Sequence, residues 1–200
     1  GPRQLAEICD YEELSVGNAG DDWNAGVTLM RGDIRDEDTV CAAGAGADTI
    51  VHLAANTGVP QSVEHPEEDF SANAWGTFCV LNAAVHNRVR RFVFASSGAP
   101  IGKCTPPITE TLAPRPISPY GASKLTGEAY CSAYHGSYGL ETVALRFGNV
   151  YGPFSSHKGS VVAKFIRQAL DGETLQIYGD GTQTRDYVYV EDLVAAIYHA

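Results

Sequence analysis

Paired cysteines, basic charge and long apolar runs are all scarce in this 200-residue chain. Its five cysteines, Cys9, Cys41, Cys79, Cys104 and Cys131, are scattered, odd in number and never spaced C-x-x-C. No disulfide framework and no zinc site follow from that pattern, and a reducing, cytoplasmic compartment is expected. Fourteen basic against 24 acidic side chains leave a net charge of −10, which argues against nucleic acid or an anionic membrane as partner. No apolar run approaches the ~18 residues of a membrane span, and no signal peptide opens the sequence. The six histidines form no metal-ligand constellation, and His52 reads as a packed strand-end residue.

What is present is an α/β rhythm. Hydrophobic residues make up 44% of the chain, enough for a core. Residues 1–26 are polar and Gly-rich and read as a loop. Short apolar strands are then expected at 27–31, 49–54, 91–95 and 141–146, separated by helices near 36–43, 67–86 and 120–138. Ser118 suits the cap and Pro119 the first position of the last of these. Strands alternating with helices of a dozen residues mean βαβ units and a parallel sheet. Beyond Gly152 the texture shifts: a helix at 161–169, strands at 175–178 and 185–190, and a helix from 192 onward.

Tyr120-Gly-Ala-Ser-Lys124 places a phenol and an ammonium four residues apart, on one face of a helix. A neighbouring cation is expected to lower the phenol's pKa, as a base working near neutrality requires. Upstream, the strand ending in Ala95-Ser-Ser97 carries two hydroxyls where α/β sheets place ligand sites. A hydroxyl there can bond the substrate oxygen that Tyr120 deprotonates.

Together with Gly32-Asp-Ile-Arg35, His52-Leu-Ala-Ala55, Asn73 with Gly76-Thr77, Arg146-Phe-Gly-Asn149 and the run from Tyr178 to Val190, these residues resemble the extended short-chain dehydrogenase/reductases, in particular their NAD-dependent nucleotide-sugar epimerases. The resemblance covers about residues 27–200. It implies a Rossmann-like doubly wound parallel sheet over residues 1–152, then at 153–200 the start of a nucleotide-sugar-binding lobe and a return to the first domain. It implies NAD as cofactor, a UDP-sugar as substrate and a homodimer. Asp33 and Ile34 would border the adenine, and Leu53, Ala54 and Ala55 would line the dinucleotide. Asn73 would position the cofactor or the Lys124 region, unless it merely caps a helix or bonds backbone. Tyr120 would be base and acid, Lys124 would hold the nicotinamide ribose, and Ser97 would bond the sugar hydroxyl. Asn149 and Arg185 would hold the diphosphate, with Gln176 and Tyr178 near the uracil.

Two departures stand out. The family's Gly-x-x-Gly-x-x-Gly loop after its first strand is absent; Ala43-Gly-Ala-Gly-Ala47 precedes a strand and does not qualify. The opening βαβ unit is therefore expected to be missing, with weak NAD binding by the chain as given. After Ser97, Gly98 and Ala99 stand where the family's sugar dehydratases carry carboxylates, which disfavours elimination. The expected reaction is epimerisation at C4 of a UDP-sugar through a 4-keto intermediate. A nucleotide-sugar reductase or dehydratase, or a non-catalytic dinucleotide sensor, is the alternative.

Overall fold

The computed structural model describes residues 11–14, 27–155 and 159–200. Two compact units divide the chain, Gly1–Arg146 and Phe147–Ala200. The first is α/β. Its strands are β1 (Tyr11–Leu14), β2 (Val27–Met30), β3 (Thr49–His52), β4 (Arg91–Ser97) and β5 (Glu141–Phe147), which ends at the boundary between the units. β1 pairs with β2 and β3 with β4, both in parallel, and β4 lies between β3 and β5. Tyr11–Leu14 lies in the stretch read from sequence as loop. The correction comes from a non-local pairing, Tyr11 opposite Val27 through Leu14 opposite Met30, to which a local pattern is blind. The rest of 1–26 falls outside the described residues.

β4 is buried on both faces, Phe92 and Phe94 completely, as expected for the middle strand of a parallel sheet. Around it Val80, Leu81, Ala84, Cys131, Tyr134 and Leu140 close the core. α1 (Glu37–Ala43) starts where the Asp36 carboxylate accepts from Asp38 N (3.1 Å) and Thr39 N (3.3 Å), with Glu37 and Asp38 favourably placed in its first turn. α2 (Val59–Glu64) follows β3. The helix read over 67–86 is three segments in one run: α3 (Pro66–Asp69), a π-helical stretch (Phe70–Trp75) and α4 (Gly76–His86). The widened turn buries Asn73 and Ala74 while Phe70 and Trp75 stay exposed. Such turns recur at functional sites.

α5 (Pro119–Tyr138) begins as its sequence dictates: extended Ser118 accepts from Gly121 N at 3.1 Å, and Pro119 opens the first turn. Left-handed Gly139 (φ 73°) ends it.

In the second unit β6 (Asn149–Tyr151) pairs in parallel with β7 (Tyr187–Tyr189), accompanied by α6 (Val161–Leu170) and α7 (Val190–His199). The strand expected at 175–178 does not form. Leu175, Ile177 and Tyr178 are 44–66% exposed and lie in a loop that turns at Gly179 (φ 75°) and Gly181 (φ 78°). Without a neighbouring strand to pair with, their alternation cannot become a ladder.

Candidate active site

The start of α5 and the end of β4 bring together Ser97, Tyr120 and Lys124, the residues expected to carry the chemistry. A short 3-10 turn, Ala99–Ile101, follows β4, and Gly121 packs against it: a Cβ there would stand 2.7 Å from Ala99 O. Ser97 Oγ accepts from Ala99 N at 3.1 Å, which leaves its own hydrogen free to donate. Lys124 is 4% exposed; its Nζ donates to Ala95 O at 2.8 Å and lies 5.0 Å from the Phe94 ring centre and 5.9 Å from that of Tyr120. Burial lowers the Lys124 pKa to about 8, against the raising influence of Asp69, so the ammonium persists at neutral pH. The Tyr120 phenol is raised. Burial is the largest cause; the Ser97 hydroxyl opposes it and the Asp69 charge adds to it. The expectation of a lowered phenol thus yields to desolvation, and Tyr120 rests protonated.

Behind this centre runs a buried polar chain. Asp69, 3% exposed, accepts from Ser123 Oγ at 2.6 Å and from Asn73 Nδ2 at 2.8 Å. Asn73 also clasps the backbone of Asn56, accepting from its N–H at 2.8 Å and donating to its carbonyl at 2.9 Å. The chain spans from the first turns of α5 to the loop after β3. His52, beneath it, bonds Thr77 Oγ1 at 3.0 Å and stacks on Phe94. Burial and the Lys124 charge push it down to about 4, so it is a neutral packing residue.

A groove lined by Gly32, Asp33, Ile34, Arg35, Ala54, Ala55, Asn56, Glu68 and Ala72 opens beside this loop. Arg35 grips Asp33 through side chain and backbone and holds its carboxyl down to about 2. Gly76 keeps α4 against Ile34, since a Cβ would meet Ile34 Cδ1 at 2.6 Å. Ile34, Ala54, Ala55 and Ala72 give apolar surface to a groove that also presents Asp33, Arg35, Asn56 and Glu68, a mixture that suits a flat base and a sugar hydroxyl. The residues present fit the adenosine end of a dinucleotide. Four of the residues expected at the cofactor, Asp33, Ile34, Ala54 and Ala55, line this groove. Leu53, 56% exposed, is not among the lining residues, and Asn73 acts from behind through Asn56.

The second unit has its own groove, which includes Lys164, Phe165, Gln176, Tyr178, Gln183 and Arg185. Lys164 Nζ lies 3.4 Å from the Tyr178 hydroxyl and 5.2 Å from its ring centre. The groove gathers Gln176, Tyr178 and Arg185. Asn149 stands apart from it, its amide donating to Asp186 O at 3.2 Å. Lys164 was not singled out from sequence, nor was Asp69, although Asp69-x-x-x-Asn73 has the spacing of a helical pair. Among the described residues no cluster of three metal-ligating side chains exists, and no helix is long and apolar enough to cross a membrane.

The sequence matches the NAD dependent epimerase/dehydratase family over residues 9–200. A putative UDP-glucose 4-epimerase of Methanocaldococcus jannaschii is 37% identical over 195 residues, covering 95% of this chain and 64% of the relative. The UDP-glucose 4-epimerase of Mycolicibacterium smegmatis is 39% identical over 177 residues, covering 86% and 56% respectively. The chain thus spans less than two thirds of the length of these curated relatives. The crystal structure of the Thermus thermophilus UDP-glucose 4-epimerase in complex with NAD superimposes with a TM-score of 0.81 at 36% identity, over 100% of this chain and 69% of that one.

Proposed function

The chain belongs to the NAD dependent epimerase/dehydratase family, and from that premise we propose that its protein epimerises a UDP-sugar at C4 through a 4-keto intermediate, with NAD as cofactor. The observation that carries this reading is the union of Tyr120, Ser97 and Lys124 at the end of β4. When bound, NAD supplies the acceptor and then the donor of the C4 hydride. Tyr120 takes the proton of the sugar 4-hydroxyl and returns it once the keto sugar has presented its other face. Ser97 donates to the same oxygen, and its acceptor side is already occupied by Ala99 N. Lys124 supplies the positive charge that favours the phenolate when the proton moves. Asp33, Ile34, Ala54 and Ala55 hold the adenosine part, while Leu53 and Asn73 support that loop.

Arg185 of the second unit, with Lys164, takes the diphosphate, and Gln176 and Tyr178 take the uracil. Asn149, outside the groove, supports the Arg185 segment through its bond to Asp186 O. The groove draws two cations and no carboxylate from an acidic sequence, which suits a dianion. Gly98 and Ala99 offer no acid or base beside Ser97, so epimerisation is favoured over elimination of water. The full-length protein, given a panel of UDP-sugars without added nicotinamide nucleotide, is expected to form the 4-epimer of at least one. Absence of an epimer across the panel sinks the reading. Stoichiometric consumption of added NADH with a reduced sugar product assigns a reductase instead.

The reading includes a homodimer. Trp75, Phe78, Tyr130, Tyr134 and Tyr138 form a chain of ring contacts over the end of the π-helical stretch, α4 and α5, with Trp75, Tyr130 and Tyr138 39–62% exposed. Exposed aromatics of this density mark protein interfaces. Light scattering of the full-length protein should give twice the chain mass, and Tyr130→Asp should shift it towards one. A concentration-independent monomer removes the dimer from the reading. The free thiols of Cys41, Cys79, Cys104 and Cys131 accord with a reducing, cytoplasmic setting.

A further inference from the structure

Lys124 is a buried cation whose direct acceptor is one neutral carbonyl, Ala95 O. An isolated ammonium in such a place is costly unless an opposite charge stands near. Four other titratable side chains approach this region. His52, on β3, is neutral; Glu128, one turn further along α5, is bonded to Arg146 at 2.7 and 2.8 Å. His65 and Glu68 line a small pocket together with Asp69. Both are exposed, whereas Asp69 is buried and close enough to influence both Lys124 and Tyr120. Its hydrogen bonds run to Ser123 and Asn73, neither of them a cation.

We propose that Asp69 is a positioning residue of the proton-transfer centre: its carboxylate, fixed between Ser123 and Asn73, is the counter-charge of the Lys124 ammonium and ties the first turns of α5 to the groove wall at Asn56. This role rests on the epimerase reading for its catalytic consequence but not for its electrostatics. The orientation is over-determined. Asn56 donates its N–H to Asn73 Oδ1, so the Asn73 amide must present its NH2 group to Asp69. The other carboxylate oxygen meets the hydroxyl of Ser123, which lies between Tyr120 and Lys124 on the helix. Asp69, at the end of α3, and Asn73, in the π-helical stretch, are both buried, four residues apart on one inward face. Asp69 also raises Tyr120, so removing its charge acts on both partners in one direction. Lys124 then loses its proton at lower pH, and Tyr120 does too.

Asp69→Asn is nearly isosteric and preserves the network: its carbonyl still accepts from Asn73, and the Ser123 hydroxyl rotates to accept from the new NH2. Ser123→Ala keeps the charge and breaks one bond. In the full-length protein, Lys124 is followed by NMR titration of its 13Cε resonance without cofactor, and kcat is followed against pH. In Asp69→Asn the Lys124 midpoint moves below the wild-type value and both limbs of the kcat profile move to lower pH. Each unit of that movement costs about tenfold in rate on the alkaline side. Ser123→Ala lowers the amplitude and leaves both limbs in place. An unchanged Lys124 midpoint in folded Asp69→Asn overturns the proposal, whatever the rate. If no UDP-sugar turns over at all, the epimerase reading fails and the resonance titration still decides the role of Asp69.

Discussion

Tyr120→Phe is expected to lower kcat of the full-length protein by about 10²–10⁴-fold or more, the range of a lost general acid–base group, while UDP-sugar affinity stays within a few-fold. The substitution removes one oxygen and keeps the ring. Fold stability should survive, because Tyr120 is only partly buried and stands at the start of α5, where Ser118 and Pro119 set the helix. What disappears is the atom proposed to exchange a proton with the sugar. Ser97 cannot replace it: a hydroxyl whose acceptor side is held by Ala99 N is placed to donate, and its own acidity is far from neutral. Lys124 cannot replace it either, since its ammonium is committed to Ala95 O. The wild-type profile should depend on pH through both groups, and Lys124, lowered to about 8 by burial, is the one that must keep the charge favouring the phenolate. On the acid side it should fall because the raised phenol retains its proton. Steady-state kinetics with calorimetric UDP-sugar titrations check both halves. A kcat near wild type in Tyr120→Phe would remove this residue from the chemistry.

Much of this was legible in the chain before any coordinates, and the reasons differ by element. The start of α5 could be read from Ser118-Pro119 because capping and a fixed proline φ are local effects. β4 could be read because a middle parallel strand writes itself as an unbroken apolar run. Tyr120 and Lys124 declared themselves through a four-residue spacing and through their resemblance to the epimerase family. The inward pair Asp69 and Asn73 did not, because its partners Ser123 and Asn56 lie 54 and 17 positions away. β1 escaped for the same reason, and the run at 175–178 failed as a strand because nothing pairs with it. Lys164 carries no local signal, because its partner Tyr178 stands 14 residues away in a loop. The acidity of Tyr120 was misjudged in direction: spacing reports the neighbouring cation, whereas burial is a property of the packed molecule. Local chemistry is written locally, and desolvation is not.

Two glycines of α5 should respond to the same substitution with opposite signs. On an exposed helix, Gly→Ala stabilises by about 0.5–1 kcal/mol, through the lower backbone entropy of the unfolded chain. Gly136 meets that condition: it is exposed and a Cβ there touches nothing within 4 Å, so Gly136→Ala should be stabilising by that amount. Gly127 does not. A Cβ there would lie 2.4 Å from Phe94 Cζ and 2.6 Å from Cε1. The Phe94 ring cannot retreat, being fully buried, stacked on His52 and covered by the Lys124 ammonium. The helix must lift instead, and overpacking of this kind costs about 1–3 kcal/mol, more than the propensity gain. Lifting α5 also draws Lys124 from Ala95 O, so Gly127→Ala should lose stability and turnover together, whereas Gly136→Ala keeps its activity. Denaturant unfolding of both variants of the full-length protein, with kcat measured alongside, checks this. If Gly127→Ala proved as stable as the wild type, α5 would not be resting on Phe94 at all. The close approach that sets the ammonium at the end of β4 would then need another cause.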